Sequence, residues 1–375
     1  MNSGRNLVAA AFALTAVSYG LARFAYGLLL PQMRVELSLD ATAAGWIGSG
    51  AFAAYCAGIV LTFVCNGTLT PRTLAVLAGL AATAGMTCIV TATSGWMLGA
   101  GVALAGLSTG LTSPPLASAV AARFNTAGRA KANAAINAGT AAGIVFSGAA
   151  AAMTVNAWRE LYTVFALIGA AITVWLWRAL PQGGGSETGA GMSLKLLGRP
   201  GLALLCLSAF AMGVSSTAIW TFGADILRGA FGVSDNGIAW AWIVLGAAGV
   251  SGAATGVLID RFGTAVIHGG SLLAIVTAIL TLAASEFSIV YGFVAMGLFG
   301  AAYIMSSGAY LIQGTALLPD RPDLGLGFPF LCLALGQTAG APLFGAAMGA
   351  MGVTAALFAF ALPAFLAIFL RPRTR

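Results

Sequence analysis

The sequence predicts an all-α integral membrane protein with twelve transmembrane helices arranged in two six-helix halves. Three observations lead to this fold class. The 375 residues are 59% apolar and only 7% charged, whereas a typical soluble domain contains about 25% charged residues. The apolar residues form long blocks, and the basic residues between the blocks favour one side. Together these observations exclude a soluble enzyme, a nucleic-acid-binding protein and a secreted disulfide scaffold.

Twelve blocks are long enough to cross the hydrocarbon core, which takes about 20 apolar residues in a helix. Helices are expected because the bilayer offers no hydrogen-bond partner to an unpaired peptide group. Leu7–Val17 has the length of a signal-peptide core, but the apolar run continues to Leu30, so it is predicted to be the first span. The predicted spans 1 to 12 are residues 7–30, 43–65, 72–93, 95–121, 132–153, 160–178, 201–224, 237–258, 265–284, 288–312, 324–347 and 351–370.

The basic residues outside the spans predict the orientation of the chain in the membrane. Twelve spans put both termini on the same side. That side holds 13 of the 17 Lys and Arg residues, whereas the opposite loops hold only Arg34, Arg159 and Arg228. Arg23 is the remaining one and lies inside span 1. The positive-inside rule therefore predicts that both termini are cytoplasmic.

The two halves of the chain resemble each other. The segment "PQGGGSETGAG" after span 6 has the composition of a flexible linker. Span 5 contains "GTAAGIVFSGAA", starting at Gly139, which aligns without gaps with "GQTAGAPLFGAA", starting at Gly336 in span 11. We therefore expect an N-terminal half of residues 1–178, a cytoplasmic linker of residues 179–199 and a C-terminal half of residues 200–375. Two six-span halves around a midplane cavity are a transporter architecture.

The loop between spans 8 and 9 carries a resemblance to a known family. It reads "GVLIDRFG" and is similar to the G-x-x-x-D-R-x-G loop of the major facilitator superfamily. The resemblance covers the whole chain and implies the major facilitator fold, secondary transport by alternating access, a monomer and a bacterial inner-membrane location. It also implies a gate in which Gly256 permits close helix approach and Asp260 pairs across the interface between the halves. Arg261 and Gly263 complete the matching motif.

A shorter run in span 1 indicates a narrower group. The sequence "YGLARFAYGLLLPQM", Tyr19–Met33, is similar to the signature of the YbfB/YjiJ group of bacterial major facilitator proteins, which implies no particular substrate. The first-half counterpart of the gating loop, Asn66–Leu74, lacks the Asp of the motif. Span 4 also lacks the Arg of the family's common motif, and span 5 lacks the Pro of the antiporter motif. These departures do not favour proton-driven drug antiport.

Arg23 is the most informative candidate for substrate binding. It lies about 12 Å inside the outer end of span 1, where a charge costs at least about 2.5 kcal/mol, so it is expected to face a wet cavity or a partner. Tyr19, Arg23 and Tyr26 share one helical face. A guanidinium between Tyr rings suits an anionic or carbonyl-bearing solute. The alternative is an Arg that fastens helices together through backbone carbonyls or a neighbouring carboxylate.

Other polar and aromatic side chains inside the spans are further candidates for substrate contacts. Asn133 and Asn137 lie one turn apart on span 5, and Tyr303 and Tyr310 lie on one stripe of span 10. Polar residues of this kind more often form helix–helix hydrogen bonds than ligand contacts, and the asparagine pair is the best of these candidates. The remaining candidates are Thr217 and Trp220 on span 7 and Gln337 on span 11.

Few titratable residues are available for chemistry inside the membrane. Asp225, near the outer end of span 7, is a candidate proton-coupling group; it could instead pair with Arg23 or form a solvated cap beside Arg228. The only histidine, His268, is expected at the membrane interface. The dispersed cysteines and the single histidine predict neither a metal site nor a cofactor. Without an HExxH or GxSxG motif, enzymatic activity is not expected.

The predicted function is therefore secondary active or facilitative transport of a small anionic or zwitterionic solute across the lipid bilayer, with a coupled proton as a candidate partner and no nucleic acid involved. Two alternatives remain at this point: a multidrug or lipophile exporter, and a non-transporting sensor on the same fold. Substrate counterflow in liposomes separates the sensor from the transporters.

Overall fold

The computed structural model describes residues 2–64, 68–154, 157–180 and 198–370. Within these residues the regular elements are helices, with no β-strand, which confirms the all-α class. Eleven helical runs in the described residues are long and apolar enough to cross a membrane, and Val353–Ala367 is a shorter apolar helix. This count is consistent with the twelve predicted spans.

Spans 1 to 6 are long helices, and only span 1 changes its winding. Span 1 begins as an α-helix over Asn2–Thr15, continues as a π-helix over Ala16–Phe24 and returns to an α-helix over Ala25–Glu36. The π-helix contains Arg23. Spans 2 to 6 are Ala41–Val64, Pro71–Val90, Gly95–Arg123, Thr126–Ala152 and Trp158–Ala179.

Spans 7 to 12 follow the same plan with two interruptions. Span 7 consists of Leu202–Trp220 followed by the short helix Gly223–Gly229. Span 8 consists of Asp235–Gly249, a 3₁₀ segment over Val250–Ala254 and Thr255–Phe262. Spans 9 to 12 are Thr264–Ala283, Ile289–Leu317, Pro322–Met351 and Val353–Ala367.

The chain divides into two compact units. The first unit comprises Met1–Tyr26 and Gly50–Gly191, and the second comprises Gly27–Ser49 and Met192–Arg375. The second unit therefore includes the end of span 1 and the beginning of span 2. The predicted boundaries at residues 1–178, 179–199 and 200–375 stay a prediction, since residues 181–197 of the linker lie outside the described residues.

In the first unit, spans 1 and 5 pack closely through small residues. Side chains added at Gly139 and Gly143 of span 5 would overlap the carbonyl oxygens of Phe12 and Ala16 of span 1. These positions accept only glycine because the two backbones lie so near each other. The remaining apolar faces of spans 1, 3, 4, 5 and 6 bury one core that includes Leu14.

In the second unit, spans 7 and 11 pack in the same way. A side chain added at Gly336 would overlap the carbonyl oxygen of Phe210, and one added at Gly340 would lie 2.7 Å from that of Val214. Gly336 and Gly340 align with Gly139 and Gly143 in the sequence comparison of the halves. The aligned glycines thus make equivalent contacts: the pair on span 5 packs against span 1, and the pair on span 11 packs against span 7.

Candidate functional site

Arg23 lies in the π-helical part of span 1, and aromatic rings surround its guanidinium. The Arg23 Cζ atom lies 5.0 Å from the ring centre of Phe24, 4.8 Å from that of Phe52 and 4.5 Å from that of Tyr55. The residue is buried, with 6% of its surface exposed. Aromatic faces attract cations, and the attraction increases to about 2 kcal/mol or more when water is excluded. These three rings therefore stabilise a positive charge inside the first unit.

The two tyrosines predicted to accompany Arg23 occupy different environments. The Tyr19 hydroxyl lies 2.9 Å from Ser113 Oγ of span 4, and Tyr19 is half-buried. Tyr26 is buried, with 3% exposure. Between them the winding is not α-helical, because the Ala25 N–H donates to the Gly20 carbonyl, five residues back. Sequence reasoning missed Phe52, whereas Tyr55 is identified from the sequence as a polar aromatic side chain inside span 2.

The two asparagines of span 5 are accessible from outside the helix packing. Asn133 is half-buried and Asn137 is exposed. Both lie in the membrane-capable helix Lys131–Ala152. A side-chain amide that faced hydrocarbon would lose its hydrogen bonds to water. This pair is therefore suited to an aqueous surface of the first unit.

A second aromatic group lies in the second unit, around Trp220 of span 7. Its ring centre lies 6.1 Å from that of Trp242, 5.4 Å from that of Phe299 and 5.2 Å from that of Tyr303, each in an edge-on arrangement. Trp220 and Tyr303 are buried, with 3% and 7% exposure. Spans 7, 8 and 10 thus contribute one aromatic cluster, of which Trp220 and Tyr303 were predicted from the sequence.

Gln337 of span 11 joins this cluster through its side-chain amide. The amide nitrogen donates to the Tyr303 hydroxyl, at 3.1 Å, and to Ser216 Oγ, at 3.2 Å. Thr217 is turned elsewhere, because its hydroxyl donates to the Val214 carbonyl of its own helix at 2.7 Å. Trp220, Tyr303 and Gln337 are thus brought together as one buried cluster, called here the aromatic and amide cluster.

Tyr310 belongs to a different part of the second unit. Its hydroxyl lies 2.9 Å from Ser208 Oγ, and its ring packs edge-on against His268, with ring centres 5.3 Å apart. His268 is fully buried among the helices of the second unit, and its expected position at the membrane interface stays a prediction. Its two ring nitrogens find polar partners on spans 7 and 10, which permits burial of a polar side chain.

Asp225 forms an ion pair with Arg34, at the end of span 1. Asp225 is buried, whereas Arg34 keeps 25% of its side-chain surface exposed and also donates from Nε to the Leu39 carbonyl at 3.1 Å. Arg228 makes its own ion pair with Asp235, 3.1 Å apart. The ion-pair partner of Asp225 is therefore Arg34. It is not Arg23 or Arg228, the two residues that the sequence suggested as neighbours of Asp225. The sequence did contain a signal for this pairing, because Arg34 is one of only three basic residues predicted on the outer side of the membrane.

The segment that carries Arg34 is packed tightly into the second unit. Ser49 Oγ of span 2 donates to the Thr338 carbonyl of span 11 at 2.7 Å. A side chain added at Gly45 would lie 2.9 Å from the Cα atom of Pro342. With the Arg34–Asp225 ion pair, these contacts close this end of the unit around spans 1, 2, 7 and 11.

The loop between spans 8 and 9 lies at the end of span 8 that is farther from Asp235. Asp260 and Arg261 are exposed, and Gly263 adopts φ +85°, a conformation that only glycine takes readily. Gly263 thereby ends span 8 and starts span 9. Among the described residues no atom would lie within 4 Å of a side chain added at Gly256. The close helix approach expected at Gly256 stays a prediction.

The described residues contain no group of three or more His, Cys, Asp or Glu side chains that could hold a metal ion. The described cysteines Cys56, Cys88, Cys206 and Cys332 form no disulfide with one another.

A family model described as Major Facilitator Superfamily matches residues 12–321. The fold is also similar to solved transporter structures. The nucleoside transporter NupG has 15% sequence identity and a TM-score of 0.77, with 98% of each chain covered. A D-xylose-proton symporter has 12% identity and a TM-score of 0.77, with 98% of this chain and 96% of that chain covered. The human organic anion transporter MFSD10 (TETRAN) has 15% identity and a TM-score of 0.68, with 98% and 99% covered.

No curated protein matches the sequence closely enough to supply a nearer relative. At identities of 12–15% the structural likeness shows the fold alone. The family match covers most of the chain, however, and the family and these neighbours are transporters rather than enzymes. The chain belongs to the Major Facilitator Superfamily, a family of multi-pass membrane transporters.

Proposed function

We propose that this chain transports a small anionic or zwitterionic solute across the bacterial inner membrane by alternating access, as a monomer with both termini in the cytoplasm. One observation carries the choice of substrate class. Arg23 is buried inside a membrane-capable helix and faced by Phe24, Phe52 and Tyr55. A guanidinium is costly at such depth, and its fork of donors matches a carboxylate, sulfonate or phosphate.

The proposed roles of the other residues follow from their surroundings. In the first unit, Tyr19 and Tyr26 accompany Arg23 on span 1, and Asn133 and Asn137 offer amides to the polar part of the solute. In the second unit, the aromatic and amide cluster is a separate candidate contact for a ring or an apolar group. Its proposed contacts are Trp220, Tyr303 and Gln337, with Thr217 and Tyr310 as weaker candidates.

Two ends of the second unit supply proposed gates. The Arg34–Asp225 ion pair holds one end closed and has to break when that end opens. The Asp260–Arg261 motif, between Gly256 and Gly263, serves the other end. Asp225 is also the candidate for proton coupling, because protonation would remove the charge that holds Arg34.

The span 1 run Tyr19–Met33 supports assignment to the YbfB/YjiJ group within the superfamily. A neutral nucleoside is a second candidate substrate. It is favoured by the cluster of Trp220, Tyr303 and Gln337, which offers ring stacking and an amide, and by the likeness to a nucleoside transporter. The likeness to a proton symporter gives a reason to include a proton gradient in the tests.

A ligand screen by thermal unfolding tests the substrate class. The probes are benzenesulfonate, benzyl alcohol and benzyltrimethylammonium, which share a ring and differ in charge, together with phenylalanine as the zwitterion and uridine as the nucleoside. A ligand at 100 times its Kd stabilises the folded state by about 2.7 kcal/mol. We expect stabilisation by benzenesulfonate or phenylalanine in the wild type and none in Arg23→Gln. Arg23→Lys, which keeps the charge but not the fork, is the matched control and should bind weakly.

Transport itself is tested by counterflow of the stabilising probe in liposomes. Accumulation of labelled probe against unlabelled internal probe supports the transporter. Binding without counterflow indicates a sensor on the same fold. Stabilisation only by benzyltrimethylammonium or benzyl alcohol, unchanged in Arg23→Gln, would contradict the anionic substrate and favour a multidrug exporter.

A further inference from the structure

A buried hydrogen-bond network around His268 joins four helices of the second unit. The Nε2 atom of His268, on span 9, lies 3.3 Å from Ser208 Oγ of span 7. Its Nδ1 atom lies 3.2 Å from Gln313 Nε2 of span 10, and the Tyr310 ring of the same span packs against the imidazole. Span 12 enters through the carbonyl of Ala367, 3.2 Å from Ser208 Oγ. None of the surface of His268 is exposed.

The donors and acceptors of this network fit one tautomer of the neutral imidazole. One N–H of the Gln313 amide donates to Nδ1, and the other donates to the Ala309 carbonyl, 3.2 Å away. Nδ1 therefore carries no proton, and Nε2–H donates to Ser208 Oγ. The Ser208 hydroxyl also accepts from Tyr310 and donates to the Ala367 carbonyl. This assignment gives each of these donors one acceptor.

A proton on Nδ1 is incompatible with this arrangement. Nδ1–H and the facing Gln313 N–H would both be donors. Turning the amide round would direct its oxygen at the Ala309 carbonyl oxygen, which now accepts from the amide nitrogen. When His268 takes up a proton, its hydrogen bond to Gln313 of span 10 is therefore lost, and a charge is left among buried groups.

Three other helices contribute described groups to the surroundings of the imidazole. Span 7 contributes Ser208, span 10 contributes Gln313 and the titratable Tyr310, and span 12 contributes the Ala367 carbonyl through Ser208. Charged residues lie farther out at the same end. Asp260 and Arg261 are exposed, and Arg199 and Asp320 form an exposed ion pair with atoms 2.5 Å apart.

We propose that His268 is a proton-binding site of the transporter, and that binding of the proton loosens the packing of spans 7, 9, 10 and 12 at this end. This inference rests on the proposed function. Histidine is the side chain whose ordinary titration falls between pH 5 and 8, and the chain contains only one. The closed network binds the proton less favourably than an opened one, so the proton shifts the balance of conformations.

The single histidine makes proton binding directly measurable. Full-length protein with ¹⁵N-labelled histidine and a histidine-free purification tag gives one pair of imidazole nitrogen signals in nanodiscs. We expect the pattern of the neutral Nε2–H tautomer at pH 8 and conversion to the imidazolium pattern before pH 5. Gln313→Glu is the second variant. Its carboxylate can accept from Nδ1–H, so the imidazolium pattern should appear at higher pH than in the wild type.

The structural consequence is measured by the distance between two spin labels. Leu204 of span 7 and Val266 of span 9 are exposed, at 44% and 60%, and each can be replaced by a labelled cysteine in a background without the native cysteines. We expect a longer distance component at pH 5.5 than at pH 7.5. In His268→Gln, which keeps hydrogen bonding but not titration, the two distributions should be identical.

Two results would overturn the proposal. One is a histidine that stays neutral in the folded protein from pH 8 to pH 5, which identifies a purely structural side chain. The other is proton uptake with no change in the distance between the labels. Neither measurement requires a substrate, so failure of counterflow with every probe would contradict the proposed transport and leave the proton site standing.

Discussion

The ion pair between Arg34 and Asp225 provides the sharpest test of how one end of the second unit is held closed. Asp225 is buried and Arg34 is only partly so, with side-chain exposures of 9% and 25%. Arg34→Gln leaves a buried carboxylate without this partner, whereas Asp225→Asn leaves a cation that can still reach water. We therefore expect Arg34→Gln to destabilise the protein more than Asp225→Asn.

The magnitude follows from the distance and the exposure. Two unit charges about 4 Å apart interact by about 4 kcal/mol at an effective dielectric constant of 20. Since Arg34 is partly exposed, water reduces this interaction to about 2 kcal/mol, which is within the range measured for close charge pairs. Each kcal/mol shifts Tm by about 2–4 °C in a domain of 150–250 residues. Asp225→Asn should therefore lower Tm by about 4–8 °C.

The assay is a double-mutant cycle on thermal unfolding in detergent at one heating rate. The double variant Arg34→Gln/Asp225→Asn should lose less stability than the sum of the two single effects, because either substitution alone already breaks the pair. Labelling of a single cysteine introduced at this end should increase in both single variants, which reports opening. If the two single effects add within about 0.5 kcal/mol, the side chains are not coupled and the reasoning fails.

Three further predictions concern packing, helix ends and gating. Gly340→Ala should lower the free energy of unfolding by about 1–3 kcal/mol, because its new methyl would lie 2.7 Å from the Val214 carbonyl oxygen. Gly349→Ala is the control and should leave Tm unchanged, since no described atom lies within 4 Å of its new methyl. Equal effects of the two substitutions would contradict the close packing at Gly340. Arg159→Gln should lower Tm, because Arg159 donates to the carbonyls of Val90 and Ala92 at the end of span 3, at 2.5 and 2.7 Å. An unchanged Tm would show that water replaces the guanidinium as the donor to these carbonyls. Asp260→Asn should alter cysteine accessibility at the two ends of the helices without altering Tm, since Asp260 is exposed; unaltered accessibility at both ends would remove it from the gate.

The sequence predicted the fold well because the bilayer imposes simple rules on composition and length. Every predicted span corresponds to a helix or a helical run, and the aligned glycines of spans 5 and 11 make equivalent backbone contacts. Trp220, Tyr303 and Gln337 were predicted separately and lie together. Their proximity required knowledge of which helices are neighbours, which single-sequence periodicity does not supply.

The prediction was weakest where a side chain depends on partners from distant parts of the chain. His268 was expected at the membrane interface because it follows the Asp260–Gly263 loop, and nothing in its own helix indicates that the side chain is buried. Ser208 and Gln313 come from other spans and make its burial possible. Arg34 was similarly counted only as an orientation signal, although it is the ion-pair partner of Asp225.

The π-helical winding of Ala16–Phe24 makes the direction of Arg23 depend on the number of residues in span 1 as well as on their kind. In this segment a peptide N–H reaches five residues back, as from Ala25 to Gly20, so each residue turns the helix by less than in an α-helix. Deleting one residue, such as Ala22, would allow ordinary α-helical winding to resume. All the side-chain types around Arg23 would then be retained, yet its guanidinium would rotate away from Phe52 and Tyr55. Insertions and deletions in this segment are therefore expected to be as damaging as replacement of the arginine itself.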